Sequence, residues 1–210
     1  FLVPLARAGH TAEGFDFDPA MLERIPLRAG DTGGFKVRQA DAVRDIWGGG
    51  FDVVLLAANL LFNIVSDTMS YPAAQRLLID KAAAALRPGG HVFIDYDYTL
   101  HPERRFADSG PRVIWEGMDS SGQGGRMTLL DSSYDQRTRI LRFTRRLELD
   151  LPDGRVAVQD IPSYKHFATL DLLHTWLGRA GLTLEGEWGD YDRRPIGEDT
   201  SRAILWARKG

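Results

Sequence analysis

Residues 14–22 read Gly-Phe-Asp-Phe-Asp-Pro-Ala-Met-Leu, and this stretch decides the fold. It connects two segments. Residues 11–17 are an apolar run that ends in acids, and residues 19–27 have apolar residues at helical spacing. The run predicts a buried strand, and a proline in the first turn is typical of a helix start. Asp18 is the expected N-cap of that helix. The stretch therefore predicts a strand, a tight turn and a helix, with Asp16 at the carboxyl end of the strand.

The same alternation extends outward on both sides. Strands are predicted over residues 35–39, 51–58 and 91–98, and a helix over 73–86 that a turn, Arg87-Pro88-Gly89-Gly90, closes. Residues 1–8 have the pattern of the body of a helix, and Gly9 is its expected stop. The run 51–58 is apolar nearly throughout, which is typical of a strand covered on both faces. Alternating strands and helices predict an α/β fold with a mostly parallel sheet.

The pattern changes at residue 112. Apolar runs over 113–115, 127–130, 140–151 and 156–161 predict an inserted antiparallel sheet, and residues 120–125 have the composition of a loop. Pro152-Asp153-Gly154 predicts the turn of a hairpin between the last two strands. A helix over 170–180 and strands over 182–188 and 202–208 follow, and we expect these two strands to pair antiparallel.

Composition excludes several classes of protein. The 210 residues are 43% hydrophobic with a net charge of −3 and no long run of either sign, which argues against a nucleic-acid partner. The longest apolar stretch, residues 53–61, is too short to cross a bilayer, so we expect no membrane partner. The absence of cysteine excludes disulfides and thiolate sites, and we expect a cytoplasmic protein.

Asp16 is the residue with the clearest chemical meaning. An acid at the carboxyl end of the second strand of a nucleotide-binding fold accepts hydrogen bonds from both ribose hydroxyls. The alternative is that Asp16 only caps the following helix, a role that Asp18 fills better. Met21 could pack on an adenine ring or in the core. Asp41 and Asn59 are further candidates for contacts with a ligand. The alternative for Asp41 is that it caps a short helix, and the alternative for Asn59 is that it is a turn residue at the end of a strand.

These segments resemble class I S-adenosylmethionine-dependent methyltransferases. Residues 14–22 resemble the acidic motif after their second strand, residues 39–42 the stretch that contacts adenine, residues 51–59 their fourth strand and residues 86–91 their "L-x-P-G-G" turn. The resemblance implies a Rossmann-like methyltransferase fold and S-adenosylmethionine as cofactor. It also implies that the cofactor is held by Asp16, Phe17, Met21, Asp41, Ala42, Ala57 and Asn59.

One part of the family pattern is not found. The family's first strand and its glycine-rich loop have no counterpart, since Gly122-Gln123-Gly124-Gly125 follows no apolar strand and precedes no helix. The chain also begins at Phe1, within a helical pattern. We therefore expect residues upstream of Phe1 to supply that strand and loop. Without them cofactor binding would be in doubt.

Within the family, the chain is similar to small-molecule N-methyltransferases of the glycine and sarcosine type. Residues 51–67, 94–100 and 163–166 carry this similarity. The arginine that clamps an amino-acid carboxylate in that type is missing, and Asn63 stands where a histidine is usual, so we do not expect glycine as the substrate. The expected partner is a small amine or hydroxyl acceptor, bound by Asn59, Tyr96, Tyr98, Trp115 and Arg112.

His166 is the best candidate for a general base, with Tyr164 beside it, because an imidazole can take the proton of an alkylated nitrogen or oxygen. The alternative for each of these acceptor-pocket candidates is that its side chain only packs against its neighbours. In-line methyl transfer depends mainly on alignment of the reacting atoms, and we expect no metal requirement. Arg104 and Arg105 could hold an anionic group, and the arginines of residues 137–146 could either attract an anionic substrate or solvate the outer face of the sheet.

The expected organisation is a cofactor-binding core of residues 1–98 and 165–210. Residues 99–164 form the insertion, as an acceptor lid or the interface of a homodimer. Two other functions stay open. One is a catalytically degenerate methyltransferase-like binding domain. The other is an NAD(P)-dependent oxidoreductase, because the acid after the second strand also serves that cofactor.

Overall fold

The computed structural model describes residues 1–119 and 122–210, which divide into two compact units, Phe1–Gly49 and Gly50–Gly210. In the first unit, helix α1 spans Leu2–Arg7, strand β1 Ala12–Asp16, helix α2 Pro19–Ala29 and strand β2 Phe35–Gln39. β1 and β2 pair in parallel. Both helices contact this two-stranded sheet.

The local signals of the first unit are confirmed. Asp18 caps α2, because its Oδ1 accepts a hydrogen bond of 2.9 Å from the Ala20 N–H. Gly9 ends the first helical segment with a φ of +88°, a backbone conformation that glycine adopts most easily. The predicted helix–strand–helix–strand order is therefore the order of the structure.

The second unit begins with a mixed sheet and its helices. Its elements up to the insertion are strand β3 (Phe51–Leu56), helices α3 (Leu60–Asn63) and α4 (Tyr71–Ala85), strand β4 (Leu86–Asp97) and helix α5 (Pro102–Arg105). After the insertion come helix α6 (Leu170–Arg179) and strands β9 (Leu182–Trp188) and β10 (Arg202–Lys209). The strand order is β3-β4-β10-β9, with β3 and β4 parallel and β10 antiparallel to both neighbours. The expected antiparallel pair at the C-terminus is confirmed.

The insertion is a separate antiparallel sheet of four strands in sequential order. They are β5 (Arg112–Met118), β6 (Gly124–Asp135), β7 (Ile140–Asp150) and β8 (Val156–His166). All are longer than predicted except β7, and the hairpin at residues 152–154 joins β7 to β8 as expected. Of the expected loop over 120–125, residues 120 and 121 lie outside the described residues, and Gly124 and Gly125 belong to β6.

Two expectations for the mixed sheet are corrected. β3 is not covered on both faces in the described structure, because Val53 and Leu55 are 42% and 38% exposed while Leu56 on the opposite face is fully buried. The turn over residues 87–90 does not precede β4 but interrupts it. Phe51 pairs with Leu86 and Val53 pairs with His91, so residues 87–90 bulge out of the ladder.

The core of the second unit lies between the mixed sheet and its helices. α4 and α6 contact each other, α4 packs on β3 and β4, and α6 packs on β9. Fully buried side chains include Leu56, Leu78, Ile79, Ile94, Leu173 and Leu205. Among the described residues, no helix combines the length and the apolar character needed to span a bilayer.

Candidate functional site

The first unit contains an acidic cleft at the carboxyl ends of β1 and β2. Its volume is about 340 Å³, and it is lined by Phe17, Gln39, Ala40, Asp41 and Asp45. Phe17 is 74% exposed, and its carbonyl oxygen accepts a 3.0 Å hydrogen bond from Gln39 Nε2. The structure therefore brings together two of the predicted cofactor-binding residues, Phe17 and Asp41, around one cleft.

Asp16 is the last residue of β1, directly before Phe17. Its Oδ1 accepts a 3.0 Å hydrogen bond from the Asp18 N–H, which fixes the carboxylate at the strand end. Within residues 1–119 and 122–210, no hydrogen bond occupies its Oδ2. The carboxylate is thus oriented by the chain and keeps one oxygen for a ligand.

Asp41 organises the turn that follows β2. Its Oδ1 accepts hydrogen bonds of 2.7 Å and 3.2 Å from the Val43 and Arg44 N–H groups. Asp41 therefore makes the capping contacts that were the alternative interpretation, and it also lines the cleft. Ala42 follows in the same turn, and Met21 on α2 is half exposed.

Asn59 marks the carboxyl end of β3 in the second unit. Ala58 and Asn59 both have positive φ angles, 55° and 58°, which non-glycine residues rarely adopt. Asn59 Oδ1 is buried and has no hydrogen-bond partner among the described residues. Strained backbone and an unsatisfied buried oxygen are typical of binding sites, so both observations fit a ligand-binding role for Asn59. Ala57 precedes this pair.

A buried hydrogen-bond network fastens β8 to the core of the second unit. Gln75 on α4 donates from Nε2 to the carbonyl oxygens of Leu61 and His166, each at 3.1 Å. The Tyr96 hydroxyl donates to the same His166 carbonyl at 2.9 Å and accepts from the Ala168 N–H at 2.8 Å. Tyr96 is fully buried, and burial raises the pKa of its hydroxyl far above the ordinary range. These contacts give Tyr96 a structural role, and its expected contact with substrate stays a prediction.

The His166 ring belongs to this network. Its Nδ1 lies 2.7 Å from Gln75 Oε1. Because Nε2 of Gln75 is the donor to two carbonyls, Oε1 is an acceptor, and His166 Nδ1 must carry the proton. Burial, aided by the positive charge of Arg139, lowers the pKa of His166 to about 4. The ring is therefore neutral near neutral pH, and its role as general base stays a prediction that this low pKa weakens.

The other predicted acceptor residues occupy several positions. Tyr98 is buried directly after β4, and burial, with the carboxylate of Glu187, raises the pKa of its hydroxyl. Tyr164 is 42% exposed and stacks on Tyr71 at a centroid distance of 6.5 Å. Arg112 and Trp115 lie exposed on β5, an outer strand of the inserted sheet.

A second cleft, of about 420 Å³, lies where β4 ends and β10 begins. It is lined by Thr99, His101, Arg104, Arg105 and residues 198–201. His101 contacts Glu103 and Glu198 at 3.3 Å and 2.9 Å, and Arg105 is paired with Asp97 at 2.9 Å. Asp97 therefore already neutralises one of the two arginines expected to hold an anion here.

Sequence reasoning missed Gln75 and Lys165, which are both buried. Gln75 occurs within the apolar helix pattern of α4, where its position among alanines and leucines was an available signal. Lys165 follows Tyr164 in a strand with irregular alternation, and nothing in its local sequence indicates burial.

Neither a protein-family model nor a curated protein sequence matches the chain. Solved structures do. The CcbJ methyltransferase from Streptomyces caelestis matches with a TM-score of 0.72 at 18% identity, over 99% of this chain and 78% of that one. The S-adenosylmethionine-bound amino pentose methyltransferase of calicheamicin biosynthesis from Micromonospora echinaspora matches with a TM-score of 0.65 at 18% identity. The match covers 94% of this chain and 73% of that one. A sugar N-methyltransferase from Streptoalloteichus matches with a TM-score of 0.67 at 16% identity, over 100% of this chain and 84% of that one.

The chain has the Rossmann-like fold of class I methyltransferases. This likeness confirms the fold that the sequence motifs predicted. The closer similarity to the glycine and sarcosine type stays a prediction, since the structures named above include an amino pentose methyltransferase and a sugar N-methyltransferase.

Proposed function

We propose that the protein is a methyltransferase that uses S-adenosylmethionine to methylate an amine or hydroxyl of a small molecule. The observation that carries the proposal is the cleft beside Asp16 in the first unit. The cleft is lined by the exposed Phe17 ring and by two acids, Asp41 and Asp45, and the oriented carboxylate of Asp16 comes directly before Phe17 in the chain. The structural likeness to amino-sugar methyltransferases favours the amine as the acceptor.

The residues of the first unit fit the nucleoside part of this cofactor. Asp16 Oδ2 would accept from the ribose hydroxyls, since Oδ1 is already held by the Asp18 N–H. Phe17 would cover the adenine ring, with Met21 as a second apolar contact. Asp41 would accept from the adenine amino group, and the Ala42 N–H would donate to the ring.

The bound cofactor supplies a methyl group activated on a positively charged sulfur. The protein needs to hold the acceptor in line with that methyl group and to exclude water, which accounts for most of the acceleration in such displacements. We assign the acceptor to the second unit, where Asn59, Tyr98, Tyr164 and the inserted sheet are the candidates. In this proposal, residues 99–164 act as a lid over the acceptor.

Calorimetric titration of S-adenosylhomocysteine into the full-length protein tests the cofactor. We expect binding that Asp16→Ala weakens about tenfold, the loss expected for hydrogen bonds to a charged group. Asp31→Ala, which removes an exposed acid of the same unit, is the matched control and should bind as the wild type does.

Two outcomes of this titration would contradict the proposal. If the folded protein does not bind the compound, or if Asp16→Ala binds it equally well, the cleft is not the cofactor site. A parallel titration with NADH separates the oxidoreductase alternative, because the same acid could hold the ribose of that cofactor.

A further inference from the structure

The inserted sheet has one face on which the cations have no carboxylate partner among the described residues. Lys165 on β8 is directly opposite Leu141 on β7, and Arg145 lies four residues further along β7. Since side chains alternate between faces along a strand, Lys165 and Arg145 are on the same face. The register of β5 and β6 places Arg112 and Trp115 on it too. We call this side, defined by Arg112, Trp115, Arg145 and Lys165, the cationic face.

Lys165 is buried without an anionic partner. Its exposure is 8%, and its Nζ lies 6.0 Å from the centroid of the Phe62 ring. Within the parts of the chain that the structure describes, no carboxylate lies within 4.0 Å of the Lys165 or Arg145 side chain, and Lys165 Nζ makes no hydrogen bond. An ammonium on a buried side chain without an anionic partner is unfavourable because it has lost part of its hydration.

The second cation adds to this cost. Burial, with the positive charge of Arg145 on the same face, lowers the pKa of Lys165 to about 8. A protein that needed Lys165 only for packing would be more stable with an apolar side chain here. An anion between the two groups would relieve both the desolvation and the repulsion.

The position of Lys165 relates this site to the reaction. Phe62 belongs to α3, the short helix that begins directly after Asn59 at the carboxyl end of β3, and α3 contacts β8. We propose that Lys165 and Arg145 bind an acidic group, a carboxylate or a phosphate, on the methyl acceptor. This inference rests on the proposed methyltransferase function for the identity of the ligand, but the anion site can be tested without the cofactor.

The test is carbon-13 NMR of the full-length protein labelled at the lysine ε-carbons. The chain has only four lysines, Lys36, Lys81, Lys165 and Lys209, and Lys165→Met assigns the signal. We expect inorganic phosphate, at ionic strength held constant with chloride, to shift the Lys165 signal saturably and to raise its pKa from about 8. The signal of Lys36, whose side chain is 80% exposed, should not follow. Acetate in place of phosphate distinguishes a carboxylate site from a phosphate site.

Two arginine variants make the test specific. Arg145→Gln should weaken the saturable effect about tenfold, as expected for the loss of a charge-assisted contact. Arg142→Gln is the matched control, because Arg142 is an exposed residue of the same strand on the opposite face, and it should leave the titration unchanged.

The inference is overturned if neither anion shifts the Lys165 signal saturably, or if both arginine variants respond alike. These results are independent of the cofactor titration. If S-adenosylhomocysteine binds but neither anion has an effect, only the proposal that the methyl acceptor carries an acidic group is refuted. If an anion has the effect but the cofactor product does not bind, only the proposed methyltransferase function is refuted.

Discussion

Acid should destabilise this protein through His166. The folded ring has a pKa of about 4, whereas the ordinary value is 6.5. The unfolded chain therefore takes up a proton on His166 as the pH falls through 6.5, while the folded protein does not until about 4. His166 thus contributes stability that is present above 6.5 and is lost as the pH falls toward 4. From the folded and unfolded pKa values of His166, proton linkage predicts that the free energy of unfolding falls by about 2.5 kcal/mol between about pH 7 and about pH 4.5.

The variant that isolates this effect is His166→Asn. The asparagine amide can replace His166 Nδ1 as the donor to Gln75 Oε1, but it does not titrate. Denaturant unfolding of both proteins at the two pH values gives four free energies of unfolding. The wild type should lose about 2.5 kcal/mol more than His166→Asn over this interval. All carboxylates and the other four histidines titrate in both proteins, so their contributions cancel.

The result that refutes this reasoning is a parallel loss of stability in the two proteins. It would mean that the His166 ring titrates alike in the folded and unfolded chain and is not held neutral by burial. Nitrogen-15 NMR of the imidazole at about pH 5 gives a direct check, since the expected species is neutral with the proton on Nδ1.

The remaining predictions concern the bulge in β4 and the network at Tyr96, and thermal or denaturant unfolding measures both. Gly90→Ala should destabilise by about 1–3 kcal/mol, because a Cβ there would lie 2.9–3.0 Å from the backbone oxygens of Phe51, Arg87 and Asp52. Gly178→Ala, in α6 with open space around the added Cβ, is its control and should be neutral or stabilising; equal losses would contradict the steric argument. Tyr96→Phe should cost about 1–3 kcal/mol, because the Ala168 N–H loses its buried acceptor. Tyr134→Phe, whose hydroxyl makes no hydrogen bond among the described residues, should change stability by less than about 0.5 kcal/mol, and a similar effect of both variants would exclude the network as the cause.

The sequence predicted those elements that local chemistry specifies. Asp18 with Pro19 defined the start of α2, and the turn over residues 152–154 defined the hairpin, because each acts on its immediate neighbours. The four-residue helices α3 and α5 were missed, since one turn of helix has too few residues for a periodic pattern.

The candidate site was less predictable than the fold. The strand-end position of Asp16 follows from the order of local elements, so the sequence could place it. The role of Tyr96 depends on a carbonyl 70 residues away, and the burial of Lys165 depends on Phe62 in a different element. Such contacts have no local signal, so the sequence could not indicate the structural role of Tyr96, and its assignment to the substrate pocket stays a prediction.

β8 connects the two features that the sequence did not reveal. Lys165 and His166 are adjacent, so their side chains point to opposite faces of the strand, one to the cationic face and the other to the network around Gln75. A register slip of one residue would exchange them and remove from Gln75 its hydrogen bonds with the His166 ring and carbonyl oxygen. The hydrogen bonds from Gln75 and Tyr96 to the His166 carbonyl therefore support the register that keeps Lys165 and Arg145 on one face of the sheet. For this reason Tyr96→Phe should alter the anion response of Lys165, although Tyr96 lies in β4 and its hydroxyl is occupied by main-chain groups.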